Sequence, residues 1–163
     1  MLKEREVTIR PANLSDSKAI IVVLQESGFF TDIHKKALTD PEARISKHLS
    51  RCETDESHLI LVAENQNGEV LGYIGVHWLQ YIMASDTRGY VSELFVRQSA
   101  RGRGIGRRLL EVIKEKAIER GCSRIMVLNV PNRISYSRRF FLKLGWKERQ
   151  EITNCILPLD SKT

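Results

Sequence analysis

Several segments within the first hundred residues have the patterns of apolar and polar positions that predict β-strands. Residues 6–10 (EVTIR) alternate with a period of two and end at Pro11. Two apolar runs, 58–64 (HLILVAE) and 69–80 (EVLGYIGVHWLQ), flank a four-residue loop that contains Asn-Gly, which is typical of a hairpin. A fourth strand is predicted at 89–97 (GYVSELFVR).

Apolar residues recur at helical spacing in other segments. The predicted helices cover 13–27, 41–51, 107–120 and 134–144. Asn13 or Ser15 offers a cap for the first helix, and Gly121 and Gly145 stop the last two. Three further strands are predicted at 123–130, 146–152 and 154–159. The order β-α-α-β-β-β-α-β-α-β-β predicts a mixed α/β sheet with strand–helix–strand crossovers in its second half.

Length and composition limit the classes of protein that the chain can represent. Its 163 residues, 42% of them hydrophobic and 28% charged, fit one globular domain over 1–163. No apolar run approaches the roughly 20 residues of a membrane span, and the start is too charged for a signal peptide. The three cysteines form no CxxC pair and the four histidines are scattered along the chain. We therefore expect a cytoplasmic protein with no disulfide, no metal and no membrane partner.

Positive charge is concentrated in one third of the chain. The net charge is +6, yet residues 97–149 carry 15 Lys and Arg against 4 Asp and Glu. This local excess favours an anionic ligand, although solvated helix faces would give the same count. Nucleic acid is not expected as a partner, because the segment has neither a recognition-helix motif nor stacking aromatic residues.

A glycine-rich turn lies at the centre of this basic segment. The predicted strand at 89–97 leads into Gly102, Gly104 and Gly106, and the strong helix follows at once. Glycine lets the backbone approach a ligand closely, and the first N–H groups of a helix attract negative charge. Strand, turn and helix N-terminus together are typical of a phosphate site. The spacing matches neither a Walker A loop nor the dinucleotide fingerprint GxGxxG.

At these residues the chain resembles the GCN5-related N-acetyltransferases, the GNAT superfamily. The family signature [QR]xxGx[GA] is matched by the six residues Arg101, Gly102, Arg103, Gly104, Ile105 and Gly106. Residues 6–16 resemble the opening strand and helix start of the family, and Asn132 with 141–146 (FLKLGW) resembles its N…[FY]YxxLGF element. The match covers most of 5–155 and is weakest between 29 and 57. It implies a GNAT-like acyl-CoA N-acyltransferase fold, with about seven strands flanked by about four helices.

The resemblance also implies acetyl-CoA as the donor and assigns residues to it. The diphosphate would lie on backbone N–H groups from Arg101 to Arg107. The pantetheine arm would run beside the fourth strand and bond main-chain groups there, those of Leu94, Phe95 and Val96. Asn132 matches the family amide that contacts the cofactor arm, and it could equally cap the helix at 134–144.

Glu93 is the candidate general base of this transfer. A lysine-like amine is neutral in only about one molecule in 2,500 at pH 7, so a positioned carboxylate must take its proton. Strand alternation places Glu93 on the face of Val91 and Phe95. A salt-bridged or solvent-facing role would also explain a charged residue in this strand.

The general acid of many family members has no counterpart at the matching position. Phe141 stands where the family often has the tyrosine that reprotonates the leaving thiolate. A thiol with a pKa of about 8.5 can leave unassisted, and Phe141 could instead pack against the cofactor arm.

The sequence thus predicts an N-acetyltransferase that acts on a primary amine of a small molecule or peptide. The alternatives are a protein lysine or N-terminal acetyltransferase and a catalytically weak CoA-binding module, which Phe141 motivates. The acceptor pocket is expected between 29–57 and the loop 81–88. The family resemblance and the apolar C-terminal strands suggest a homodimer.

Overall fold

The computed structural model describes residues 7–27, 40–131 and 133–159. Within these ranges five strands form one sheet in the order β1-β2-β3-β4-β5. They are β1 (Val7–Pro11), β2 (His58–Asn65), β3 (Val70–Gln80), β4 (Thr87–Val96) and β5 (Cys122–Val127). Strands β1 to β4 pair antiparallel, whereas β4 and β5 pair in parallel.

Five helices are present in the same ranges. They are α1 (Ser17–Glu26), α2 (Pro41–Thr54), α3 (Ile105–Glu119) and the single turns α4 (Ile134–Ser137) and α5 (Phe140–Lys143). Short 3-10 turns precede α1 and α3, at Leu14–Asp16 and Gln98–Ala100. No helix in the described part of the chain is long and apolar enough to cross a membrane.

Local sequence explains where the longer helices begin and end. Asn13 caps the turn before α1, because its side chain accepts from the backbone N–H of Ser15 at 2.9 Å. Asp40 caps α2 by accepting from the backbone N–H of Ala43 at 3.0 Å. Gly121 follows α3 with a φ of 69°, a left-handed conformation that stops the helix as the sequence predicted.

The two faces of the sheet carry different helices. Helices α1 and α2 cover one face, where Ile20, Val23 and Leu49 pack against Val62 and Tyr73. Helix α3 packs against β3, β4 and β5. Arg120, directly after α3, places its guanidinium 5.1 Å from the centre of the Trp78 ring, so α3 covers the opposite face. Because both faces are covered, β3 is buried along most of its length, with no polar alternation to show which face is which.

Two irregularities of β4 shape the candidate functional site. The register with β3 shifts by one residue: Val91 lies opposite Val76, and Glu93 lies opposite the adjacent Gly75. Ser92 is therefore an extra residue in β4, a β-bulge. In addition, β4 pairs with β5 only from Thr87 to Val91. Beyond Val91, the described residues provide a ladder partner for β4 only in β3.

The predicted order of the first eight elements, from β1 to β5, is confirmed. The prediction of two closing strands is wrong: no strand lies between Gly145 and Leu159, and the described residues form five strands rather than about seven. The alternating pattern there pairs with no strand in the described residues, and β-propensity depends on such a partner. The helix predicted over 134–144 is also interrupted, because Arg139 has a left-handed φ of 51° between α4 and α5.

The chain forms two compact units, Met1–Leu128 and Asn129–Thr163. The second unit has a small aromatic cluster of its own. Phe141 lies with its ring centroid 5.1 Å from that of Phe140 and 5.2 Å from that of Trp146. The backbone N–H of Trp146 donates to the carbonyl of Phe141 at 3.1 Å. The expectation of one domain over 1–163 stays a prediction.

Candidate active site

The glycine-rich turn presents an open backbone surface at the start of α3. Gly102 and Gly104 have φ angles of 77° and 78°, which side-chain-bearing residues rarely adopt. A Cβ added at either glycine would meet no atom within 4 Å, so the space beside the turn is open. Gly104 is the N-cap of α3 and offers no side-chain acceptor to its first amides. The first N–H groups of α3 are therefore oriented toward any anion that binds there.

The arginines of the turn have different roles. Arg101 fixes the turn, because its guanidinium donates to the carbonyls of Val96 (3.3 Å) and Ser27 (2.8 Å). The backbone N–H of Arg101 also donates to the Gln98 carbonyl, at 3.3 Å, so the amides that can hold an anion begin at Gly102. Arg107 forms an ion pair with Glu111 at 2.7 Å, and Arg103 is exposed at the turn.

The free edge of β4 begins where its pairing with β5 stops. The N–H of Arg97 donates to the Leu71 carbonyl at 2.9 Å, and antiparallel pairing alternates along the strand. Consequently Phe95 directs its main-chain groups toward β3, while Leu94 and Val96 direct theirs to the other edge. Of the three residues predicted to bond a cofactor arm, Leu94 and Val96 have main-chain groups at the free edge.

The bulge at Ser92 changes the face on which Glu93 lies. Strand alternation predicted that Glu93 shares a face with both Val91 and Phe95, and this is wrong for Val91. Glu93 lies opposite Gly75 whereas Val91 lies opposite Val76, and adjacent residues of β3 point to opposite faces. Glu93 therefore stands on the α1/α2 side of the sheet together with Phe95, away from α3.

A cleft of about 140 Å³ opens beside Glu93 on this face. Its walls come from α2, β2, β3 and β4, namely His48, His58, Leu59, Ile60, Gly75, Val76, His77, Ser92 and Glu93. Gly75 lies between Ile60 and Glu93 in a row of residues that face each other across β2, β3 and β4. A Cβ added at Gly75 would lie 3.3 Å from the Ser92 hydroxyl, so a side chain at this position would crowd β4. The missing side chain of Gly75 thus gives the carboxylate access to the cleft.

Tyr73 is the buried partner of Glu93. Its ring is 2% exposed and lies 5.8 Å from the ring of Phe95, and the charge of the nearby Glu93 carboxylate acts on its hydroxyl. Burial, together with the negative charge of Glu93, raises the pKa of Tyr73 far above its usual range. Tyr73 therefore stays protonated beside the carboxylate. No local sequence pattern indicates this proximity, because it depends on the β3–β4 register.

Three histidines that are far apart in sequence meet in the cleft. The ring centroids of His48 and His58 are 5.0 Å apart, and those of His58 and His77 are 5.3 Å apart. Desolvation, and then repulsion from His58, lowers the pKa of both His48 and His77. The expectation of scattered histidines is therefore wrong for these three, and His34 lies outside the described residues. Cys52 adjoins the group, with its sulfur and a nitrogen from each of His48 and His58 within 4.8 Å of one another.

Other predicted positions are not brought to this cleft. Asn132 lies outside the described residues, and Phe141 belongs to the second unit, where it packs as described above. Asp40, one of the acids near the expected acceptor pocket, serves as the α2 cap. In the loop after β3, Tyr81 lies under the guanidinium of Arg88 at 4.3 Å.

Comparison with known proteins assigns the chain to a family. A model of the acetyltransferase (GNAT) family matches residues 27–146, and the chain belongs to this family. The acetyltransferase Atu2258 of Agrobacterium fabrum is 32% identical over 118 residues, covering 68% of this chain and 77% of that protein. The thialysine N-epsilon-acetyltransferase of Bos taurus is 25% identical over 125 residues, covering 73% of this chain and 72% of its own length.

The fold of the chain is also found in a solved structure. A crystal structure described as a transcriptional regulator from Bacillus halodurans superposes with a TM-score of 0.74, at 24% identity. The match covers 93% of this chain and 99% of that one. At this identity the likeness concerns the fold alone.

Proposed function

We propose that the protein is an N-acetyltransferase that moves an acetyl group from acetyl-CoA to a primary amine of a small molecule or peptide. The observation that carries the proposal is the position of Glu93. Its carboxylate faces a cleft, lies beside buried Tyr73, and stands on the part of β4 that has no pairing with β5. Membership of the GNAT family supports the reaction class.

The donor end of the site fits acetyl-CoA. The diphosphate would be held by backbone N–H groups from Gly102 to Arg107, where the open turn and the α3 dipole favour negative charge. The pantetheine arm, which carries amide groups, would bond the main chain of Leu94 and Val96 like an added strand. When bound, acetyl-CoA supplies the thioester whose acyl group is transferred.

The acceptor end needs a base for the amine. Glu93 takes a proton from the ammonium group, so that the N–H bond breaks, an O–H bond forms and the freed lone pair can attack the thioester carbonyl. Tyr73 stays protonated beside the carboxylate throughout, because its raised pKa prevents it from losing its own proton. Transfer forms the C–N bond of the amide and breaks the C–S bond. CoA leaves as the thiolate, without a strong acid, and the second proton lost by the nitrogen ends on that sulfur.

The acceptor is a slender amine. A cleft of about 140 Å³ accommodates an aminoalkyl arm such as that of thialysine, on which the Bos taurus relative acts. A lysine side chain of a protein or peptide has the same width, so protein acetylation is the second candidate. We further propose that the protein works in the cytoplasm as a homodimer.

Release of free CoA thiol, measured with a thiol-reactive dye, tests the proposal. Wild-type protein, acetyl-CoA and a panel of amines (thialysine, spermidine, glucosamine and a lysine peptide) should give amine-dependent thiol release. Glu93→Gln should suppress it, and Glu115→Gln, which alters an exposed carboxylate on α3, should not. Binding of acetyl-CoA by calorimetry without any release across the panel would instead support a CoA-binding module.

A further inference from the structure

We propose that Glu26, at the end of α1, is a positioning residue for donor binding: through Arg97 it holds the glycine-rich turn in the shape that receives the diphosphate. The inference rests on the proposed function, since it takes acetyl-CoA as the ligand of that turn. It assigns a role to a residue that lies 67 positions before Glu93 in the chain and belongs to no motif of the sequence.

The end of α1 is bonded to both ends of the segment that connects β4 with the turn. Glu26 is the last residue of α1 and accepts from the guanidinium of Arg97, the first residue after β4, at 2.6 Å (Oε1) and 3.0 Å (Oε2). The carbonyl of Ser27, the next residue, accepts from the guanidinium of Arg101 at 2.8 Å. Two neighbouring residues at the end of α1 therefore hold the first and the last residue of the segment 97–101.

The contact between Glu26 and Arg97 has a specific geometry. Two N–H groups of one guanidinium meet the two oxygens of one carboxylate, an arrangement that fixes orientation as well as distance. The side chains of Arg97 and Glu26 are 18% and 33% exposed, so solvent screens this pair less than a fully exposed one. Hydrogen bonds from Arg97 also hold the pKa of Glu26 below its ordinary value, so the carboxylate is charged at pH 7.

A second carboxylate completes the attachment of Arg97. Glu69, in the loop between β2 and β3, accepts from Nη1 of Arg97 and is itself held by the side-chain amide of Asn65 at 3.1 Å. The backbone N–H of Arg97 donates to the Leu71 carbonyl at 2.9 Å. Because its guanidinium already contacts two carboxylates, Arg97 has the surroundings of an anchor for the chain and not those of an anion ligand.

The turn depends on this attachment because its own glycines restrain it little. Gly102 and Gly104 carry no side chains, and the space beside them is open to 4 Å. Glycine also has more backbone freedom to lose than any other residue. Amides that are already oriented bind an anion more tightly, since the ligand does not have to order them. Holding the segment 97–101 on α1 therefore raises the affinity of the turn for the diphosphate.

Calorimetric titration of acetyl-CoA into Glu26→Gln tests the inference, because the two effects of this change have opposite signs. Loss of a negative charge by itself favours binding of an anion, whereas loss of the anchor weakens it. We expect the Kd to rise about tenfold. With any amine that reacts, kcat at saturating acetyl-CoA should stay within about twofold of wild type. Arg97→Gln should cost less affinity in the Glu26→Gln background than in wild type, because both changes break the same contact.

Two control variants separate positioning from charge and from general stability. Glu111→Gln breaks the exposed ion pair with Arg107 in the first turn of α3, removes the same charge, and should leave the Kd unchanged or lower it. Asp16→Asn loosens the fold at the other end of α1 and should leave the Kd unchanged. An unchanged or lower Kd in Glu26→Gln would overturn the positioning role and leave the proposed function intact. Absence of acetyl-CoA binding by the wild-type protein would overturn both.

Discussion

Replacing Glu93 by glutamine removes the basicity of the site and keeps its shape. Glutamine has nearly the same size and shape as glutamate, so the packing around the cleft is retained. Glu93 itself is exposed, and a polar substitution at such a position changes the free energy of unfolding by about 0.5 kcal/mol or less. The main-chain groups of Leu94 and Val96 are untouched, so the Kd for acetyl-CoA should stay within about twofold of wild type.

The size of the kinetic effect follows from the protonation of the amine. Deprotonating a lysine-like amine at pH 7 costs about 4–5 kcal/mol, and a positioned carboxylate recovers part of this cost. A lost general base typically lowers the rate by about 10²- to 10³-fold, or about 3–4 kcal/mol of transition-state stabilisation. The deficit should shrink as the pH approaches the pKa of the amine, because free amine no longer needs the base.

The assay is kcat against pH for wild type, Glu93→Gln and the control Glu115→Gln, with any amine that reacts. Calorimetric titration of acetyl-CoA accompanies it, so that a binding defect is separated from a chemical one. A small deficit that is constant at all pH values would refute the assignment of Glu93 as base. The carboxylate would then be structural, and water or a backbone carbonyl would accept the proton.

Three further predictions concern binding, stability and assembly. Gly104→Val should weaken acetyl-CoA binding far more than the control Gly121→Val. Both glycines have a left-handed φ near open space, but only Gly104 lies at the proposed diphosphate site. Equal losses of acetyl-CoA affinity in calorimetry would contradict that site. Asp16→Asn should lower the free energy of unfolding in urea by about 1–3 kcal/mol at pH 7, because buried Asp16 accepts from Arg10 at 2.8 and 2.9 Å. Burial alone would raise the pKa of Asp16, but hydrogen bonds from Arg10 and Asn13 hold that pKa below its ordinary value of 3.8. The contribution of Asp16 to stability is therefore present above pH 4 and is lost as the pH falls through the folded-state pKa. A difference in unfolding free energy between wild type and Asp16→Asn that is as large at pH 2 as at pH 7 would count against this reasoning. Light scattering should give twice the 18.7 kDa of one chain, and a mass of one chain at micromolar concentration would exclude the dimer.

The sequence alone determined those features that depend on neighbours within a few residues. The turn at Gly102 and Gly104 and the end of α3 at Gly121 were predicted, because capping and left-handed glycines act over about four residues. The start of α3 was predicted at Arg107, two residues after its observed start at Ile105. The β2–β3 hairpin was predictable for the same reason, since its loop contains Asn-Gly. These local features also carried the motif that indicated the family.

Only the tertiary structure decided the surroundings of Glu93. The strand was predicted, but the bulge at Ser92 moved Glu93 off the face of Val91 and onto that of Tyr73. One extra residue in a strand reverses the side to which the following side chains point, and no local pattern marks where it is inserted. The free edge of β4 likewise depends on where β5 stops pairing, 30 or more residues further along the chain.

The histidine cluster shows the same limit most clearly. His48, His58 and His77 carry no common motif, and the sequence analysis treated them as scattered. Packing of α2 on the sheet and the pairing of His58 with His77 across β2 and β3 bring them together. Local sequence fixes the conformation of each element through short-range sterics and hydrogen bonds, whereas register and helix docking are set by burial of the whole core, so residues distant in sequence become neighbours only in the folded protein.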